Sequence, residues 1–488
     1  MPQGMMSGQR FKNNNSMIMK RFIIKICICL TIVGCNSNKE VSSTQGNNNQ
    51  MVDYFANNGF GNAVALVQHP AGIYHEGVTY VCYQGPLEDP YVASYNHETS
   101  EWKGPFKVGV SEMGKDPSRK KKIDNHGKPS MIIDDSGYIH ITFGGHGGVR
   151  EHGENPLGNH HYGKNLHAVS KKPLDISNWK MLDNIPPFGT YNQFFKMDNG
   201  DLYLFYRHGA HRSNWVYQRS TDNGLTFDPP VSFLKHKRRL DIEADDSWYP
   251  WISRGLGDDL IVAFDYHLCR DHNNSQDKRG HIPERHNVYY MVFDTKTGEW
   301  KNVKNEQLQM PLTKERADKK ALVSNIQSDW TFQAITDIEP TGDPHVCVKV
   351  GPDVGAKRSG AKRIQHFRWD GQEWIQSNTA TLPKGDGDLE VKSAEEVSLY
   401  IESKTNDEIG EVSRWDSSDG GSSFQKGQTF LQREDAGFVI SALIDNPHPD
   451  ARFIVAEKRE GTYYRKMYLL GDSGSIQRIK KDADVLKE

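Results

Sequence analysis

An all-β fold, a seven-bladed β-propeller, is what the sequence predicts, and three observations carry that expectation. Short apolar and aromatic strands alternate with Gly, Asp and Asn turns, and no long helical period appears after the first fifty residues. The strands pair as hairpins near 63–84, 130–143, 193–206, 251–266, 331–350, 397–415 and 438–456. Ser220-Thr221-Asp222-Asn223-Gly224-Leu225-Thr226-Phe227 follows the pattern S-x-D-x-G-x-T-[FW], and the stretch from Ser417 to Phe424 nearly repeats it. Sheets that cannot bury their faces alone must stack, and radial stacking closes a propeller. A pair of packed β-sheets is the competing architecture, but it does not explain the recurring hairpin.

Taken in order, the 488-residue chain opens with a segment that is not part of that fold. Lys20-Arg21 precedes an apolar run from Phe22 to Val33, and the run ends Ile32-Val33-Gly34-Cys35. A basic start, a short apolar stretch and a small residue before Cys resemble a bacterial lipoprotein signal. Residues 1–34 are then leader and signal, with Met17 or Met19 as an alternative start. Cys35 carries lipid, 35–50 is an Asn- and Ser-rich tether, and 51–488 is the propeller domain. The run is too short for a comfortable transmembrane helix. The expected location is the bacterial outer membrane or cell surface, or the medium if Cys35 is not used. Removing the signal takes Cys27 and Cys29 with it. Cys82, Cys269 and Cys347 remain, too few for a disulfide scaffold, so at least one thiol needs another explanation.

The net charge of -3 identifies no partner, and nothing in the composition asks for nucleic acid. Two basic runs, Arg119 to Lys122 and Lys235 to Arg239, read as solvated loops or as help in holding a polyanion. The S-x-D-x-G-x-T-[FW] turns resemble the Asp box, which joins outer strands of propeller blades in sialidases and other glycan-handling proteins. Looser versions end at Trp102, Trp179, Trp300 and Trp374. These boxes are architecture.

A hairpin returns the chain to the end it left from. Three consecutive hairpins therefore present polar pairs at one end: His126 with His146, Tyr191 with Arg207, and Tyr249 with His267. Singly, each has an ordinary packing explanation; together they suit proton abstraction beside a carboxylate. Cleaving a uronic-acid polymer by β-elimination needs a base for the C5 proton and a donor for the O4 leaving group. It also needs cations around the carboxylate, where electrostatic stabilisation of the developing charge lowers the barrier most. His and Tyr suit the first two tasks, and Arg grips a carboxylate with two prongs. No carboxylate pair for hydrolysis stands among these positions.

The segments Asn125-His126-Gly127-Lys128-Pro129, Phe143 to Gly148, Thr190 to Gln193, Tyr206 to Gly209 and Ser247 to Pro250 are similar to those of the propeller-fold ulvan lyases. Those enzymes act on a sulfated rhamnose and uronic-acid glycan of green algae, and the resemblance covers nearly the whole mature chain. It implies that His126 and Tyr191 are the acid/base pair, acting on glucuronate or on its C5 epimer iduronate. His146 and Arg207 neutralise the carboxylate, and Tyr249 and Asn125 lie on the substrate side. Which of His126 and Tyr191 takes the C5 proton depends on the epimer.

His267-Leu268-Cys269, with His281 beyond and His211 after Arg207, offers borderline and soft donors that suit tetrahedral zinc. The alternative is a set of loop histidines beside a buried thiol. The resemblance implies zinc on His211, His267, Cys269 and His281, closed by protein and so structural. The resulting expectation is a monomeric lyase on an anionic sulfated polysaccharide, with no organic cofactor. The competing functions are a non-catalytic glycan-binding propeller and a sialidase-like hydrolase, although the chain lacks the Arg-Ile-Pro motif of the latter.

Overall fold

β-Branched and aromatic runs flanking an Asp-Gly or Asn-Gly turn fold back on themselves, and every expected hairpin does so. The computed structural model describes residues 50–113, 124–271, 283–326, 328–352, 362–405 and 408–486. The leader, the signal, Cys35, most of the tether, the basic run 119–122 and His281 lie outside the described residues. Strands dominate, with two short α-helices at Lys314–Lys320 and Lys480–Ala483.

The hairpins grow into antiparallel four-stranded sheets in simple sequence order. One runs Ser130–Ile133, Ile139–His146, Tyr162–Ser170 and Trp179–Leu182. The next runs Gly189–Lys196, Leu202–His208, Trp215–Ser220 and Val231–Leu234. The third is built on the long strands Ala244–Arg254 and Asp259–Arg270. At the ends of the chain, Ala56–Phe60 pairs with Tyr464–Gly471. A single parallel bridge from Asp445 to Ile73 then joins the last set of strands to the first. The sheets are propeller-like.

Two expectations shift in detail. The first hairpin pairs only from Gly72, because 63–71 is a loop that feeds it. The hairpin expected at 397–415 is the second and third strand of its sheet; the first is Gly385–Val391, of sequence GDGDLEV. That strand escaped reading because its glycines interrupt the apolar alternation. They are there for space: a Cβ on Gly385 would lie 1.8 Å from the Glu402 carbonyl oxygen.

Both Asp boxes form the same turn, between third and fourth strands. Ser220 Oγ donates to Asp222 Oδ1 at 2.8 Å and accepts from Gly224 N at 2.9 Å, while Thr226 N donates to Asp222 Oδ1 at 2.9 Å. Ser417, Asp419, Gly421 and Ser423 repeat the pattern at 2.7, 2.8 and 2.9 Å. The closing aromatics reach the preceding sheet, Phe227 against His167 at 5.9 Å and Phe424 against His366 at 5.7 Å. Burying such a ring contributes roughly 1.5–3 kcal/mol, against about 1 kcal/mol net for each hydrogen bond. The aromatic therefore does more to dock the sheets than any one bond of the turn. Trp102, Trp179, Trp300 and Trp374 all sit on outermost strands, as the looser boxes required.

The core lies between sheets. Ile335 and Ile364 of one sheet, Leu389 and Leu399 of the next and Phe438 and Phe453 of the last belong to one buried cluster. Cys82 and Cys347 are buried core thiols, and no disulfide joins Cys82, Cys269 or Cys347 to another described residue. In the second basic run, Arg238 is paired to Asp245 and Asp271 and Arg239 to Asp241, so these charges are satisfied locally.

Candidate active site

Glycine lets the chain gather its polar residues at one end of three neighbouring hairpins. A Cβ on Gly127 would fall 2.8 Å from the backbone of Gly144, and the two residues are joined by a Gly144 N–H to Gly127 carbonyl bond of 2.8 Å. That contact holds the 124–129 loop against the end of Ile139–His146, and it brings the His126 and His146 rings into a stack 3.7 Å apart, tilted by 10°. The His126 carbonyl is further anchored by Gln68 Nε2 at 2.6 Å.

Tyr191 is placed by strain. It has φ 61° at a bulge in Gly189–Lys196, where the register against Leu202–His208 shifts between Thr190 and Gln193. Such a conformation costs on the order of 1–3 kcal/mol in a non-glycine residue and persists only when its neighbours over-determine it. They do. Thr190 Oγ1 donates to the Gly209 carbonyl at 2.8 Å, Asn192 Nδ2 to Asn165 Oδ1 at 2.8 Å, and Gln193 bridges the Pro250 carbonyl and Ile252 N at 3.0 and 2.9 Å. The bulge turns the phenol toward His126, ring to ring at 5.3 Å, and toward Tyr249 at 5.6 Å.

Arg207, fully buried, lies over both tyrosines, 4.9 Å from the Tyr191 ring centre and 5.4 Å from that of Tyr249. Its Nη1 donates to Tyr249 Oη at 3.1 Å and its Nε to the Gly209 carbonyl at 3.3 Å. Its Nη2 and the Nε2 of buried His146 have no hydrogen-bond partner among the described residues. Two buried polar nitrogens that face no protein partner are costly unless a ligand meets them.

The structure thus brings together His126, His146, Tyr191, Arg207 and Tyr249. Asn125 is nearby, with its Oδ1 accepting from Asn62 N at 3.0 Å, so that oxygen clamps a loop. His211 closes the cluster: its Nδ1 pairs with Tyr249 Oη at 3.1 Å, and its ring stands edge-on 6.4 Å from His126 and 6.0 Å from His146. The His211 and His267 rings are 5.6 Å apart. His267 and Cys269, two apart on Asp259–Arg270, point to one face of that strand.

Three residues of the cluster were not singled out from sequence. Asp124 accepts at Oδ1 from His126 Nδ1 and at Oδ2 from His146 Nδ1, the latter at 2.8 Å. Arg285 lies 3.5 Å over the Tyr249 ring and 4.1 Å from Phe332, with Asp265 at 3.6 Å. His161 stands edge-on to His146 at 4.4 Å. Asp124 was within sight, two residues before His126; Arg285 and His161 had no signal beyond being polar loop-end residues. The Asp124, His126 and His146 ligand atoms come within 4.8 Å of one another. Both Nδ1 atoms are taken by the Asp124 carboxylate.

Burial sets the protonation states. It lowers the His126 pKa and drives that of His146 well below the usual histidine range, with Asp124 opposing in both cases. Burial also works to raise the Asp124 pKa, but His146 and His126 outweigh it and hold the carboxyl far below the usual range. The Tyr191 phenol is pushed well above its usual range by burial and by Tyr249, against the pull of Arg207 and Arg285. At neutral pH the cluster therefore holds a neutral imidazole with a lone pair beside a phenol with its proton. The His126 side chain is 27% exposed, which leaves it open to a substrate.

Imidazoles, phenols and guanidinium groups thus line one rim of a propeller-like chain, a set that suits the proton transfers and carboxylate binding of a polysaccharide lyase. Residues 156–382 match the family described as "BNR repeat-containing family member". The chain is 72% identical to "Ulvan lyase" of Nonlabens ulvanivorans, over 97% of this chain and 100% of that one. It is 50% identical to "Ulvan Lyase-PL25" of Pseudoalteromonas sp. (strain PLSV), over 96% of each. A solved polysaccharide lyase PL25-ulvan lyase, bound to -[GlcA(1-4)Rha3S]-, superposes with a TM-score of 0.86 at 51% identity, covering 89% of this chain and 99% of that one. The chain belongs to the ulvan lyase family.

The unpartnered Arg207 Nη2 makes a direct prediction. Arg207→Ala should raise KM and lower kcat together on a carboxylated polymer, and Arg207→Lys should recover only part, because an ammonium cannot reproduce a two-pronged grip. On polymer whose uronate carboxyls are esterified, the Arg207→Ala penalty should largely vanish. An equal penalty on both substrates would reassign Arg207 to holding sulfate or positioning the chain.

Proposed function

We propose that this protein cleaves ulvan by β-elimination, breaking the C4–O4 bond at a uronate and leaving a C4–C5 double bond at the new non-reducing end. The observation that carries the reading is the pairing of charge states. His126 is held neutral and Tyr191 protonated, beside buried His146 Nε2 and Arg207 Nη2 that have no partner among the described residues. A uronate carboxylate against Arg207, and against His146 once that ring takes up a proton at Nε2, would let C5 anion character spread into an enolate-like form. His126 then takes the C5 proton and Tyr191 gives its own to O4. For the opposite C5 epimer the proton lies on the other face, and an exchange of tasks would require Tyr191 as phenolate and His126 as imidazolium. Tyr249 orients Arg207 through its hydroxyl, and Asn125 holds the loop that carries His126.

The test is the ultraviolet absorbance of the conjugated unsaturated uronate during incubation with ulvan; a binding propeller or a hydrolase produces none. His126→Ala and Tyr191→Phe should each lower kcat by roughly 10²–10⁴-fold with little change in KM. Activity should be present above the His126 pKa and fall away as pH drops through it, with an acid limb below the ordinary histidine range because that pKa is lowered. A fully active Tyr191→Phe would leave His126 to handle both protons and end the two-residue mechanism.

His211, His267, Cys269 and His281 would hold a structural zinc. The three described members fit: His211 and His267 are in ring contact, Cys269 is a buried thiol on the face His267 shares, and His₃Cys is a donor set that suits a closed zinc site. Bound there, zinc would supply folding energy and fix the strand ends beside the rim. Metal analysis should return about one zinc per chain, and Cys269→Ser should lower the melting temperature; a metal-free protein of full stability would remove the site.

The same reading makes 51–488 a seven-bladed catalytic domain. Among the described residues four four-stranded sheets, the sheet built on Ala244–Arg254, and the two sets bridged through Asp445 and Ile73 support the count, the last completed by Ala56–Phe60, and a crystal structure with another number would correct it. The protein works as a monomer held at the cell surface through lipid on Cys35. Cys35→Ala should release it from the membrane fraction with activity on soluble polymer intact, and unchanged partition would sink the anchor.

A further inference from the structure

Asp124 is buried, and its two oxygens are divided between two rings: Oδ1 with Nδ1 of His126, and Oδ2 with Nδ1 of His146 at 2.8 Å. Its own backbone N–H is held in turn by Glu88 Oε1 at 2.7 Å. Glu88 comes from a turn where Leu87 and Glu88 both take positive φ, 59° and 61°. Two consecutive non-glycine residues in that region are strained, and the strain aims one carboxylate at the backbone of another. An ionised carboxylate can only accept hydrogen bonds. Both Nδ1 atoms must therefore be the N–H donors, and in the neutral imidazoles both Nε2 atoms carry the lone pair.

We propose that Asp124 is the positioning residue of the reaction: one carboxylate that locks both stacked imidazoles in the Nδ1–H tautomer and presents His126 Nε2 as the base at C5. The inference rests on His126 acting as an acid/base group, as set out above. In the step it describes, the lone pair of His126 Nε2 takes the C5 proton, and the C5–H electrons become the C4–C5 double bond. The C4–O4 pair departs with O4, which takes the Tyr191 phenolic proton. The new imidazolium is then bonded at Nδ1 to an anion, and the Tyr191 phenolate recovers a proton from it by exchange, which restores the starting pair. An amide held in the orientation of Asp124 cannot accept from the two rings through two separate oxygens. An Asn offers one oxygen and one NH₂, so one imidazole must turn its lone pair inward and present N–H at Nε2, the wrong form for a base.

The experiment has a structural arm and a kinetic one, both on the full chain as purified. Nitrogen NMR of histidine-labelled wild type should show His126, identified by its loss in His126→Ala, as the Nδ1–H tautomer. Asp124→Asn should convert one of the pair to Nε2–H. Kinetically, Asp124→Asn should lower kcat by about 10²–10⁴-fold with KM within a few-fold. In a His126→Ala background the same change should cost almost nothing further, since Asp124 acts through His126. A wild-type His126 in the Nε2–H tautomer overturns the proposal, as does a full additional loss in the double variant. If Asp124→Asn fails to fold, the wild-type spectrum alone decides. An absence of lyase activity in wild type would fail the proposed function while leaving the tautomer result standing, so the two failures are distinguishable.

Discussion

The pairing of Ala56–Phe60 with Tyr464–Gly471 is the constraint on which the rest depends, because it joins the two ends of the described chain within one sheet. No single sheet here can bury both of its faces. Each four-stranded set leaves apolar side chains that only a neighbour can cover, and a row of such sets would leave two faces open. Setting the first strand into the last set removes those open ends. It also makes the geometry of the rim a collective property: His126, Tyr191 and Tyr249 come from three different sheets, and their separations hold only while the stack is tight.

Within that frame the site is made by backbone devices at the ends of inner strands. The bulge at Tyr191, the double left-handed turn at Leu87 and Glu88, and the glycine contact between Gly127 and Gly144 each use conformational energy to aim a polar group. They sit where a regular ladder would send side chains straight out from the sheet. The strain is distributed over several clamps per residue, so no one bond carries it. Opposed pKa shifts then follow from burial: the same desolvation that keeps imidazole neutral keeps phenol protonated, which is what an acid/base pair requires.

Arg285 adds a second guanidinium behind the first. Stacked between Tyr249 and Phe332 and facing Asp265, it places positive charge over the ring of the phenol that Arg207 bonds. Tyr249 is thus held by two cations, one at its face and one at its hydroxyl. Beside it, His211 contacts both Tyr249 and the stacked histidines, so the candidate zinc ligands and the candidate catalytic residues share walls. Loss of order at one should be felt at the other.

How much could be read in advance follows from the range of each interaction. Period-two strands, Asp-Gly and Asn-Gly turns and the two Asp boxes are decided by residues within a few positions of one another. The sequence alone therefore determined the all-β class, six of the hairpins as inner pairs or nearly so, and the polar residues at their ends, His126, His146, Tyr191, Arg207 and Tyr249. The inner strand Gly385–Val391 was invisible because its glycines answer to the carbonyls of a neighbouring strand and leave no alternation of their own. Tertiary structure alone decided that Asp124 serves two rings whose positions lie far apart in the chain, that Arg285 lies on Tyr249, and that Tyr191 sits inside a bulge. Those are contacts across non-adjacent strands, at a bulge, or between a loop and a strand end, and side-chain chemistry read along a chain carries no measure of distance through space.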